Sequence, residues 1–265
     1  AIDIAEEMDY KDSISWHYTV MDWILHSYNP NDERWASYGN SKEIAEKRKY
    51  AREKALHYLS YIDQNMPNIT PSTASYAGNY FLLGAMTDDP EEAIPLLQKA
   101  LKVGERYSDS WTIIQSGTYL GYHYENMGKI DEAIESHETA YSLGIKLRFL
   151  WTPVESPIKL YLSQGQNAKL LDMMIEMLES TMVLHNKPKT YPEKLRRWNR
   201  TMEDVYETLF SESSEVYQEF IEVIESRLKE TDNSGEMFFY LGQLVLLAVT
   251  AGNKQAAEKH VCEMR

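Results

Sequence analysis

Ile114–Leu147 reads IQSGTYLGYHYENMGKIDEAIESHETAYSLGIKL, and its spacing decides the fold. Leu120, Gly121 and Tyr124 put a large, a small and an aromatic residue on one stripe of a helix. Gly128 follows, a residue that takes a positive φ without strain and so closes a helix. Ala133, His137 and Ala140 then recur at i, i+4 and i+7. Small side chains at Ala133 and Ala140 let two backbones approach, and Gly121 offers the matching gap, so Gly121 is expected to pack near one of these alanines. Asp131 and Glu132 fall in the first turn of the second helix, where carboxylates meet the positive end of its dipole. The stretch is expected to be two antiparallel helices joined by a tight turn.

The same cues recur on both sides. Towards the N-terminus, Ala93 and Ala100 repeat the alanine pair within 74–107, and Asp89-Pro90-Glu91-Glu92 opens the second helix of that pair. A lengthened helix end and loop over Glu105–Ser110 absorbs the extra residues between the two units. Towards the C-terminus, Tyr161 and Gly165 match Tyr124 and Gly128, with Leu170 and Met177 at the small positions. Pro153 and Pro157 delay that unit's first helix to about Ser156. The chain's end again reads as a pair, Met237–Met264, turned at Gly252-Asn253. Before the repeats, an apolar helical face runs through Ile14, Trp16, Val20, Trp23, Ile24 and Tyr28. A helix over about 41–65 is capped by Asn40 and Glu43. Its Lys47, Arg48, Lys49 and Arg52 are expected to be solvated. Thr70-Pro71 should start the next helix, and Thr190 with Glu193 fits a capping box ahead of helices at about 191–210 and 212–231. The count is about twelve helices and no strand, in one domain that spans 1–265.

The totals agree. The 265 residues carry only 12 Gly and 9 Pro, a composition for long helices. A net charge of −14 argues against nucleic acid and anionic membrane surfaces, and for a neutral or basic partner. The single cysteine, Cys262, excludes an internal disulfide within the chain and a multi-cysteine zinc site. No apolar run has transmembrane length, and a cytosolic setting is the default expectation.

Chemistry is sparse. His123 and His137 lack the carboxylate and histidine company a metal needs, so each is expected to be a packed or a surface histidine rather than a ligand. No phosphate loop or nucleophile elbow occurs. Catalytic residues, metals and cofactors are therefore expected to be absent. Lys194, Arg196, Arg197 and Arg200 flank Trp198 and form an alternative, anion-binding candidate, set against pairing with the chain's own acids.

The central stretch resembles the tetratricopeptide repeat, a helix-turn-helix unit of about 34 residues, through Leu120, Gly121, Tyr124, Gly128, Ala133 and Ala140. Gly117 stands where the repeat usually has Trp, and His137 where it usually has an aromatic. The resemblance implies an all-α right-handed superhelical solenoid whose first helices line a concave binding face. The residues it directs there are Gln115, Thr118, Tyr122, Glu125 and Asn126. In the preceding unit they are Ser75, Gly78, Leu82, Ala85 and Met86, and in the following one Glu155, Lys159 and Leu162. It implies a scaffold that binds a protein or peptide, with self-association open. Ala85–Leu162 is also similar to the repeat tail of bacterial family-2 glycosyltransferases, through Asp89–Ala93, the Glu105–Trp111 join and the Leu147-Arg148…Trp151 turn. That family's metal-binding Asp-x-Asp is missing here, so the alternative implies an accessory domain whose catalytic half lies on other sequence.

Overall fold

Gly128 sits at φ +70° and closes the central turn as its residue type requires. Its N–H donates to the Glu125 carbonyl at 2.9 Å, and that of Lys129 to the Tyr124 carbonyl at 2.9 Å, the two-bond closure of a left-handed helix end. The same pair of bonds closes helices at Gly165 and Gly252. It also closes one at Ser108, which takes the left-handed conformation at φ 58° without being glycine.

The computed structural model describes residues 11–29, 39–65, 73–147, 154–185 and 192–264. Among them are twelve helices and no strand, so the protein is all-α. In order they are α1 Lys11–His26, α2 Ser41–Asn65, α3 Thr73–Ala85, α4 Pro90–Tyr107, α5 Ser110–Asn126, α6 Ile130–Lys146, α7 Glu155–Ser163, α8 Asn167–His185, α9 Pro192–Glu212, α10 Ser214–Glu230, α11 Ser234–Thr250 and α12 Lys254–Glu263.

Local chemistry explains these bounds. Asn40 and Glu43 form the expected reciprocal cap of α2, with Glu43 N–H on Asn40 Oδ1 at 3.1 Å and Asn40 N–H on Glu43 Oε2 at 2.9 Å. Asp89 accepts from the Glu91 N–H at 3.0 Å ahead of Pro90. The expected long join between α4 and α5 is mostly helix: α4 continues to Tyr107, and Asp109 already caps α5. The Thr70-Pro71 start and the Thr190 part of the other capping box lie outside the described residues.

The chain divides into two compact units, Ala1–Ala140 and Tyr141–Arg265. In the first, α1 packs on α2, α3 on α4, and α1, α3 and α5 lie side by side. Its core joins Ile14 and Tyr18 of α1, Ala51, Ala55 and Leu59 of α2, Ala77 and Leu83 of α3, and Leu97 and Ala100 of α4. The alanines act as read from the sequence: Ala93, Ala100, Ala133 and Ala140 are all buried. The expected neighbour of Gly121 needs correction. A Cβ on Gly117 would lie 3.1 Å from Ala140 Cβ and 2.9 Å from the Ser136 carbonyl oxygen, whereas one on Gly121 would overlap the His137 imidazole.

Two polar knots also tie this unit together. Asp22 is 1% exposed, with Arg48 Nε at 3.1 Å and an Arg52 nitrogen at 3.7 Å. Arg52 also donates to the Leu83 carbonyl at 3.0 Å and to the Thr87 hydroxyl. Arg48 and Arg52 were expected to be solvated; a buried carboxylate on α1 recruits both, since an unpaired charge there would be costly. Elsewhere the Tyr76 and Tyr80 hydroxyls both donate to Asp63, Tyr80 at 2.7 Å, and Lys99 Nζ stands 3.2 Å from the same carboxylate. Burial and that carboxylate raise both tyrosine pKa values.

The second unit has its own core, in which Tyr206 and Phe220 meet with ring centroids 5.8 Å apart. The Tyr206 hydroxyl donates to Gln243 at 2.8 Å, that of Tyr217 to the Leu247 carbonyl at 2.5 Å, and that of Tyr141 to the Met173 carbonyl at 2.8 Å. Leu170 and Met177, the bulky replacements for the alanine pair, are fully buried.

Candidate interaction groove

Helix α1 carries two apolar stripes. Ile14, Tyr18 and Leu25 are buried in the core. Trp16, Val20 and Trp23, at i, i+4 and i+7, face a different way and line an open pocket of about 420 Å³. The sequence reading merged these two stripes into one face. Trp23 is 50% exposed and Trp111 44%, a large indole area left in contact with water.

Three helices build the pocket. Trp16, Val20, Trp23 and His26 come from α1; Phe81, Leu82 and Ala85 from α3, with Met86 just beyond it; Trp111 and Tyr119 from α5. Gly78 of α3 faces Trp16, where a Cβ would meet the indole at 3.6 Å, an ordinary van der Waals contact. Leu82, Ala85 and Met86, which the sequence reading directed to one face, all line this pocket. That reading did not direct Trp16, Trp23 and Trp111 there; for the first two the signal is the α1 stripe Trp16-Val20-Trp23, out of phase with the core.

The pocket continues along α5 as a chain of rings. Phe81 meets Trp111 and Tyr119 edge-to-face, with centroids 5.0 and 5.5 Å apart. Tyr119 meets Tyr122 at 6.2 Å, and Tyr122 meets the His137 imidazole at 5.4 Å. His137 is buried, and its Nε2–H donates to Glu125 Oε1 at 2.6 Å. Its Nδ1 is buried without a hydrogen-bond partner. Burial lowers the His137 pKa against the opposing pull of Glu125. The imidazole is neutral at neutral pH, so it leaves the Glu125 charge uncancelled.

The candidate residues divide as follows. Tyr122 and Asn126 are exposed on α5, and Gln115 and Glu125 half-buried. Thr118 is buried, and its hydroxyl donates to the Ile114 carbonyl at 2.9 Å within its own helix. Lys159 is exposed on α7 of the second unit, and Leu162 there is half-buried. The side chains of Ser75, Glu155, Lys194, Arg196, Arg197 and Arg200 lie outside the described residues.

The second unit has a concavity of its own, about 670 Å³, on α11 and α12, lined by Val245, Val249, Val261 and Cys262 among others. No aromatic residue lines it. Among the described residues no group of His, Cys, Asp and Glu could hold a metal ion, and no helix is long and apolar enough to cross a membrane. No protein-family model and no curated protein matches the chain.

Proposed function

We propose that the protein is a non-enzymatic scaffold built from tetratricopeptide-like helix pairs, and that it binds a protein or peptide on the face formed by α1, α3 and α5. One observation carries this reading. Three tryptophans kept out of the core, Trp16 and Trp23 of α1 and Trp111 of α5, open onto one pocket, and α5 also carries the polar side chains of Gln115 and Asn126. Exposed apolar patches of this kind, rimmed by polar groups, mark interaction sites. Aromatic residues are frequent anchors there.

The test is a displayed library of random short peptides panned on the whole chain. Three variants are compared with the parent: Ala85→Arg, which fills the pocket, Tyr122→Ala, and Arg196→Ala. Peptides recovered on the parent should lose binding to Ala85→Arg, and to Tyr122→Ala by more than about 1 kcal/mol. Peptides lost only on Arg196→Ala would move the site to the basic segment and overturn the groove.

A further inference from the structure

The groove has a sided charge pattern that specifies its occupant. Helix α3 carries no charged residue, and α5 carries only Glu125. The one acid of α1 near the pocket wall, Asp22, is buried against two arginines. Along α5 the face therefore runs from uncharged, aromatic surface at Trp111 to the carboxylate of Glu125. That carboxylate is held rather than mobile, because Oε1 accepts from His137, and its side chain remains 28% exposed.

We infer that the occupant is a peptide segment with a bulky apolar side chain and, about four residues along, a lysine or arginine. This rests on the reading that the groove is a docking face. The apolar group enters between Trp16, Trp23, Phe81 and Trp111, and the cation meets Glu125. The spacing follows from the helix. Tyr119, which lines the pocket, and Glu125 are six positions apart on α5, a rise of about 9 Å and a net turn of about 120° around the helix, which together separate the two side chains by about 13 Å. An extended ligand covers that distance in about four residues at ~3.3 Å each. An acidic ligand would meet both Glu125 and a net charge of −14.

The same random-peptide library tests the inference through composition. Recovered sequences should carry Leu, Met, Phe or Trp with Lys or Arg about four positions away, in either chain direction. Calorimetry on the tightest of them should show an affinity loss of about tenfold on Glu125→Gln, which keeps an acceptor for His137 while removing the charge. Replacing the peptide's cation by norleucine should cost the parent a similar factor and the Glu125→Gln variant little. Peptides abolished by Ala85→Arg but indifferent to Glu125→Gln, or enriched in Asp and Glu, would overturn the inference and leave the docking face standing. A library that yields nothing sensitive to Ala85→Arg would overturn the docking face itself. A chain that self-associates in sedimentation and becomes monomeric on Ala85→Arg would assign the groove to a second copy, which also overturns the inference.

Discussion

Gly121 and His137 occupy one another's space: a Cβ added to Gly121 would lie 2.6 Å from the His137 Cδ2 and closer still to two other ring atoms. The imidazole can take up its bond to Glu125 only because residue 121 has no side chain. Gly121→Ala should push the ring off Glu125 and cost on the order of 1–3 kcal/mol, with Gly121→Leu at the upper end. Urea unfolding checks it, and midpoints equal to the parent's would mean that α5 and α6 separate at no cost.

Ser108 is the one non-glycine among the described residues with a positive φ. Three other helix ends use glycine for the same closure. The left-handed conformation costs a non-glycine residue about 1–2 kcal/mol, while glycine loses about 0.4–1 kcal/mol more entropy on folding. Ser108→Gly should therefore stabilise the first unit by roughly 0.5 kcal/mol. A fall in the thermal midpoint of this variant would contradict the balance.

The helix pairs were legible because their determinants are local. Gly128, Gly165 and Gly252 mark turns, and Asn40 and Asp89 mark starts, through bonds that span at most a few residues. The alanine pairs were legible because backbone approach demands small side chains at fixed spacing. What escaped the reading depended on partners far along the chain. Asp22 is one polar residue in an apolar run, and only the fold brings Arg48 and Arg52 to it. The tryptophan stripe was visible as apolar periodicity, but periodicity alone does not say which of two stripes faces the core. Gly121 was read correctly as a gap and paired with the wrong residue, because the residue that fills it, His137, lies one turn from each of the two alanines.

Asp22 predicts an unequal response to removing either side of its pair. Asp22→Ala leaves two arginines without their carboxylate. Because those side chains are 32% and 22% exposed and can rehydrate, the cost should be about 2 kcal/mol, below the ~3–5 kcal/mol of a fully buried pair. Arg48→Met should cost less, since Arg52 remains beside the acid. Denaturant midpoints of the two variants rank the effects; the reverse order would show that Arg48 acts chiefly through something other than Asp22.

His137 gives the fold a dependence on acid whose sign is set by burial. Its pKa in the folded protein lies below the usual 6.5 because desolvation outweighs the hydrogen bond and charge of Glu125. In the unfolded chain it returns to about 6.5. Above that pH both states hold a neutral imidazole and the contribution is complete. As pH falls below 6.5 the unfolded chain takes up a proton that the folded chain resists, so stability declines until the folded pKa is passed. The slope is at most about 1.4 kcal/mol per pH unit for one proton. His123, whose pKa burial also lowers, adds a slope of the same sign, so the parent alone does not isolate His137. The difference between parent and His137→Phe does. Phe keeps a ring beside Tyr122 and does not titrate, so its stability should fall less steeply between neutral pH and pH 5. Glu125→Gln should act in the opposite sense: without the carboxylate that favours the imidazolium, the folded pKa drops further and the decline extends to lower pH. Unfolding curves of the three proteins across that range check both signs, and a His137→Phe profile parallel to the parent's would remove His137 as the source.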